Sequence, residues 1–196
     1  NNAFWEDSTT YGYEPYYDGY SYQFFDKNSR NRKTYTAEGR LAARKNIIGF
    51  YIKTLQEEDD AEGWLFGGDA AQANSQYNMN INAVYAQTGF TLKENISNTT
   101  SIRFENNEIL YVGNSYGYYG NELPLVKTNK AHGLLGFKST LLYKLNNFTR
   151  AFFHFSRGYK SGGVNQQPYV SVYNRHYSPE YLNNYEIGFK KLRDKS

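Results

Sequence analysis

The chain has 196 residues, no Cys, one Met, 17 Gly, 4 Pro and a formal charge of +3. The lack of Cys excludes a disulfide scaffold, zinc–thiolate sites and thiol nucleophiles. The small, dispersed charge argues against a nucleic-acid partner, and no stretch approaches the ~20 apolar residues of a membrane helix. A mean hydropathy of −0.79 would fit disorder, but 21 Tyr and 13 Phe are too many aromatics for a disordered chain. An aromatic-rich, polar-looking all-β chain fits a transmembrane β-barrel, whose signal per strand is weak. The chain begins at Asn1 with no basic-then-apolar leader, so we expect a fragment or a processed chain.

Seven segments alternate with period two, the signature of strands. Residues 33–43 set Tyr35, Ala37, Gly39, Leu41 and Ala43 against Thr34, Thr36, Glu38 and Arg40. Residues 46–56 set Ile48, Phe50 and Ile52 against Tyr51 and Lys53. In residues 77–92, an apolar row of Tyr77, Met79, Ile81, Ala83 and Tyr85 alternates with Asn78, Asn80 and Asn82. Residues 98–111 oppose Ile102 and Phe104 to Arg103 and Glu105. Residues 130–144 oppose Leu135, Phe137, Leu141 and Tyr143 to His132, Lys138, Thr140 and Lys144. Residues 148–160 oppose Ala151, Phe153, Phe155 and Tyr159 to Arg150, His154, Ser156 and Lys160. Residues 181–191 oppose Tyr181, Tyr185, Ile187 and Phe189 to Asn184, Glu186 and Lys190.

The connections alternate in length. Short ones (44–45, 93–97, 145–147) separate long ones (57–76, 112–129, 161–180), and residues 1–32 read as most of a further long loop. Short turns at one end and long loops at the other are the plan of an outer-membrane barrel. A soluble antiparallel sheet is the alternative. The length of the strands, the mixed charges on the polar face and the aromatic girdle weigh against it.

Two stretches are more specific. FFHFSRGYKSGGVN (152–165) resembles the "YxxxSRGYKxGGxN" strand and loop of TonB-dependent outer-membrane receptors, and PEYLNNYEIGFK (179–190) resembles their "PExxxNYExGxK" strand. NIIGFY (46–51) is similar to the family's "GxYY" strand, and NAVYAQ (82–87) to its "AxFGQ" strand, with Ala86 where Gly is usual. The first motif carries Ser156, Arg157, Gly158, Tyr159, Lys160, Gly162, Gly163 and Asn165; the second carries Pro179, Glu180, Asn184, Tyr185, Glu186 and Gly188. We read all of these as structural: glycines for the bend where the strand leaves the membrane, Tyr159 for the girdle, Arg157 and Lys160 for headgroups or lumen charges. Glu186 faces the lumen beside Lys190.

The resemblance implies one partial barrel domain over residues 1–196, about seven antiparallel up-and-down strands of a larger plugged barrel. No plug domain, TonB box or final strand is present in the sequence, so the sheet is expected to be open, with edges near 34–43 and 181–191. The implied function is binding and uptake of a scarce nutrient across the outer membrane of a Gram-negative bacterium. A ferric siderophore is the commonest substrate, with vitamin B12, haem and glycans as alternatives. The implied partners are outer-membrane lipid, the plug and remaining strands, the TonB complex and that nutrient, with no nucleic acid. No cofactor and no enzymatic activity are expected. A passive porin and a soluble Tyr-rich carbohydrate-binding β-domain are the competing functions.

The remaining candidates are weaker. Glu57, Glu58, Asp59, Asp60 and Glu62 lack the spacing of a calcium loop and read as a solvated loop. His132, His154 and His176 have no paired metal-ligand spacing, although the first two fall on neighbouring strands. No nucleophile with a local base is found. Three glycosylation triplets, at Asn95, Asn98 and Asn147, read as chance. Tyr116, Tyr118, Tyr119, Tyr169 and Tyr173 sit among small, flexible loop residues, a composition used by binding surfaces, and are the candidate ligand contacts.

Overall fold

The computed structural model describes residues 2–13, 17–65, 68–116, 121–165 and 172–191, with those up to 26, 64–71 and 172 by backbone alone. The strands are β1 (Asn2–Tyr13), β2 (Tyr17–Ala43), β3 (Asn46–Leu65), β4 (Gly68–Lys93), β5 (Ile96–Tyr116), β6 (Val126–Lys144), β7 (Thr149–Lys160), β8 (Gly163–Val164), β9 (His176–Tyr177) and β10 (Glu180–Lys191). Eight form one antiparallel sheet in the order β1-β2-β3-β4-β5-β6-β7-β10; β8 and β9 form a small separate ribbon. This is the up-and-down arrangement that hairpin connections produce.

All seven expected strands are there, joined by an eighth. Residues 1–32 were expected to form a loop; instead β1 pairs with the start of β2, from Asn2↔Ser29 to Tyr13↔Tyr17. The long connections expected at 57–76 and 112–129 are largely strand, because β3 runs to Leu65, β4 starts at Gly68, β5 runs to Tyr116 and β6 starts at Val126. The ladder is made of backbone donors and acceptors, so it propagates through polar side chains once a turn has set its register. One expected edge shifts accordingly. β1 covers only the start of β2, so residues 30–43 keep a bare edge among the described residues, as does β10.

The short turns are local chemistry. Arg44 takes a left-handed backbone, φ 55°, as a two-residue hairpin loop requires. The Asn146 side chain accepts from the Phe148 and Thr149 amides at 2.9 and 2.8 Å, an Asx turn. The Lys45 carbonyl accepts from the Gly89 amide at 3.0 Å, while β4 runs on to Lys93. The turn ends are therefore staggered along the strands, as tilted strands require.

Register sorts the side chains into two faces. One row runs Gly39, Phe50, Val84, Phe104, Leu135; the adjacent row runs Glu38, Tyr51, Ala83, Glu105, Leu134. Val84 and Phe104 are 59% and 52% exposed, whereas Ala83 and Leu134 are 5% and 0%. We call these the outer and inner faces. Phe50, Ile102, Phe137, Phe153 and Ile187 all fall on the outer face, and Lys53, Arg103, Lys138, His154 and Glu186 all on the inner one. The segment 77–92 departs from the expectation. Tyr77, Met79, Ile81, Ala83 and Tyr85 lie on the inner face with Lys53 and Arg103, and Asn78, Asn80 and Asn82 point outward. Pairing decides this, since a one-residue slip would bury Val84 and expose Ala83.

The outer face is most apolar near the short turns. Its apolar residues cluster within 35–43 on β2, 46–52 on β3, 84–92 on β4, 96–104 on β5 and 135–143 on β6, about nine residues or fewer per strand, with Leu110 and Val112 on β5 standing beyond them. Polar interruptions bond one another: Asn98 Nδ2 donates to Ser139 Oγ at 3.0 Å, and Thr88 Oγ1 to Asn46 Oδ1 at 2.7 Å. Beyond the band the same face turns polar, with Glu58, Asp60, Asn78, Asn80, Asn82, Asn106 and Glu108.

The absence of native Cys makes the register directly testable. Val84→Cys with Phe104→Cys, opposed in the ladder, should form a disulfide under mild oxidation, since facing Cα atoms lie within its reach. Ala83→Cys with Phe104→Cys should stay reduced, and the reverse outcome on a non-reducing gel would overturn the register.

Candidate functional site

Far from the short turns, the inner face is braced by charge. β2 presents Arg30 and Arg32 directly opposite Asp59 and Glu57 on β3. Arg30 Nη2 donates to Asp59 Oδ2 at 2.5 Å, and Arg32 donates to Glu57. Both carboxylates are buried. The hydrogen bond to Asp59 raises the Arg30 guanidinium above its already high ordinary value, so the guanidinium stays charged. Sequence reading took 57–62 for a solvated loop and missed this. The signal was present, because Arg30 and Arg32 carry the same two-residue spacing as Glu57 and Asp59, and that spacing puts each pair on one face of its strand.

Beside these pairs lies the densest apolar cluster among the described residues. Ile109 and Tyr111 on β5 pack with Val164, with Tyr77, Met79 and Val126 around them. Val164 comes from β8, so the external segment after β7 folds over the inner face. Burial raises the phenols of Tyr111 and Tyr77 above their usual range. The fold over this face needs small residues at two points. A Cβ on Gly162 would lie 2.8 Å from His132 Nε2, and one on Gly163 would overlap the Tyr177 ring. Asn165 donates its amide to the Arg175 carbonyl at 2.8 Å, closing the ribbon.

A second network lies nearer the turns. Arg103 Nη2 donates to Glu105 Oε2 at 2.8 Å, and the Tyr159 hydroxyl accepts from Arg103 Nε and donates to Glu105 Oε2, each at 3.1 Å. The guanidinium sits 5.2 Å from the Tyr51 ring centroid, and the Tyr85 hydroxyl donates to Glu38. Tyr159 was expected on the apolar girdle. Strands β6 and β7 stop pairing at Phe137↔Arg157, and the freed segment lets Tyr159 turn inward to two charges. An open recess of about 520 Å³ is lined in part by Arg40, Tyr85, Arg103, Lys138 and Ser156.

The motif residues fall on one hairpin. Ser156 pairs with Asn184, Phe155 with Tyr185 and His154 with Glu186. The Phe155 and Tyr185 rings are 4.9 Å apart, and Gly188 lies under the Phe152 ring. Gly158 has open space above its Cα, and Lys160 meets Glu180 at 4.0 Å, both largely exposed. Pro179 leads into β10.

Of the candidate tyrosines, the described residues include Tyr116 and Tyr173. Tyr116 ends β5, its hydroxyl 3.4 Å from Asn114 Nδ2, and Tyr173 is 95% exposed on the turn Val172–Asn174. Tyr118, Tyr119 and Tyr169 lie outside the described residues. His154 is bonded to Thr140 at 2.9 Å, while His132 faces Asn107, so the two histidines stay apart. Among the described residues no cluster of His, Asp and Glu fits a metal ion.

No family model and no curated protein matches the chain. A solved structure does: the ferric yersiniabactin uptake receptor FyuA from Yersinia pestis, with a TM-score of 0.70 and 15% identity, covering 88% of this chain and 27% of that one. The fold is thus like part of that uptake receptor, and the chain spans about a quarter of its length.

Two substitutions test these networks. Tyr159→Phe should cost about 2 kcal/mol of unfolding free energy, about 1 for each of the two hydrogen bonds its hydroxyl makes. Arg103→Leu should cost about 3 kcal/mol, because it leaves the buried Glu105 carboxylate unpaired. Denaturant titration of the folded protein reads both; equal losses would contradict the assigned geometry. Gly163→Ala should displace the external ribbon and increase amide exchange at Val164, measurable by hydrogen–deuterium exchange.

Proposed function

We propose that the chain is a wall segment of a TonB-dependent outer-membrane receptor that binds and imports a scarce nutrient, a ferric siderophore. The carrying observation is the outer apolar band, about nine residues per strand, which matches the 9–11 residues of a tilted membrane-spanning strand. A soluble sheet would have to cover that band with a second layer, and the described residues supply none. The paired motif strands β7 and β10 and the likeness to a siderophore receptor support the same reading.

In this reading the band meets lipid, and the polar strand extensions rise outside the cell. The inner face lines a plugged lumen. The paired arginines and the cluster around Ile109 and Tyr111 stiffen the mouth, while loop residues such as Tyr173 meet the ligand. The segment works by binding and positioning, with no catalytic role, and energy reaches the intact receptor through a plug domain contacting the TonB complex.

The test is genetic and biochemical. Deleting the gene should abolish iron-limited growth on one ferric siderophore of a panel. The intact protein should fractionate with outer membranes and change gel mobility on heating. Unchanged growth on every iron source, with haem, vitamin B12 and glycan uptake also intact, would contradict the import function.

A further inference from the structure

Arg157 is an outer-face cation that neither inner network uses. Register sets it level with Phe137 on β6 and Asn183 on β10. Its guanidinium carbon lies 4.3 Å from the Tyr181 ring centroid. Around it on that face stand Leu135, Phe155 and Tyr185. Arg30, Arg32 and Arg103 each meet a carboxylate, whereas no carboxylate within ion-pair distance of Arg157 is found among the described residues. Glu180, which flanks Tyr181 in sequence, is engaged with Lys160.

Its position along the strand gives this arrangement meaning. β7 begins at Thr149 and climbs toward Lys160, and Arg157, opposite Phe137, stands one outward-facing position below Leu135, the last large apolar residue before Gly133 and Ala131 on β6, while Tyr181 lies one pair higher. A cation at the border of hydrocarbon reaches toward headgroups. Stacking on Tyr181 covers one face of the guanidinium plane and leaves its N–H edge without a hydrogen bond among the described residues. That edge matches two phosphate oxygens at once.

We infer that Arg157, held against Tyr181, binds the phosphate of an anionic lipid at the upper edge of the band. The inference rests on the membrane reading proposed above. A lipid is chosen over a free phosphate ion because the exposed aromatic side chains beneath the cation offer contact to acyl chains. A dissolved ion would leave those side chains unused.

Native mass spectrometry of the intact receptor in detergent tests this, with phosphatidic acid as probe and diacylglycerol of the same chains as control. The wild type should retain more phosphatidic acid than diacylglycerol. Arg157→Gln should cut that occupancy at least five-fold, Tyr181→Leu should lower it, and Arg157→Lys should keep an intermediate level. Excess inorganic phosphate should not displace the lipid. Unchanged occupancy in Arg157→Gln with normal heat-shifted mobility would overturn the inference, and so would displacement by inorganic phosphate. A wild type that stays monomeric in water without detergent would instead defeat the membrane reading; one that needs detergent but ignores Arg157→Gln defeats only the lipid site.

Discussion

Backbone amides and carbonyls must be paired wherever water is excluded, and in this chain the antiparallel ladder does that pairing. Once the ladder is set, side-chain direction has no freedom left, because successive residues point to opposite faces. The contrast between exposed Val84 and buried Ala83, one residue apart, follows from pairing alone. The ladder also gathers the outward apolar residues near the short turns into one band, and in the proposed membrane setting such strands could cross hydrocarbon only if their neighbours complete every bond. The bare edges at residues 30–43 and at β10 mark where further strands would be needed in a bilayer.

The inner face solves a different problem. It crowds charged groups together, and an unpaired buried carboxylate is costly. Glu57, Asp59 and Glu105 each meet an arginine on the same face. The first two contacts tie β2 to β3, and the Tyr159 hydroxyl, bonded to both Arg103 and Glu105, ties β7 to β5. The apolar cluster of Ile109, Tyr111 and Val164 then fastens the external ribbon to the wall, so the mouth of the sheet is held by both charge and packing. Gly162 and Gly163 permit that fastening because any side chain there would collide with His132 or Tyr177.

Much of the architecture was legible in the sequence because its signals are local. Alternation located seven strands, the short turns were read from spacing, and the face of Phe50, Ile102, Phe137, Phe153 and Ile187 followed from period two. Segment 77–92 misled because both of its faces are mixed. Tyr77, Met79 and Ile81 look like a lipid face beside three asparagines, and only pairing to Lys53 and Arg103 shows that they turn inward. The strand extensions at 57–65 and 112–116 were missed because polar composition was taken for loop, although ladders tolerate polar side chains. The partnership of Arg30 and Arg32 with Asp59 and Glu57 is non-local and needed the register. The candidate tyrosines were chosen by composition, which carries no geometry; of them, Tyr116 ends β5 and Tyr173 stands exposed on the turn Val172–Asn174.

What touches the outer band decides whether this sheet is a membrane wall. The most direct measurement is a nitroxide scan along β4 and β5 of the intact protein in bilayers, reading collision with oxygen, which concentrates in lipid, and with a water-soluble nickel chelate. Labels at 84, 90, 102 and 104 should favour oxygen, labels at 78, 80 and 108 should favour nickel, and labels at 83, 105 and 107 should be poorly reached by either. Labels at 84 and 104 shielded from both reagents would mean that protein covers the band, and the membrane wall would be contradicted.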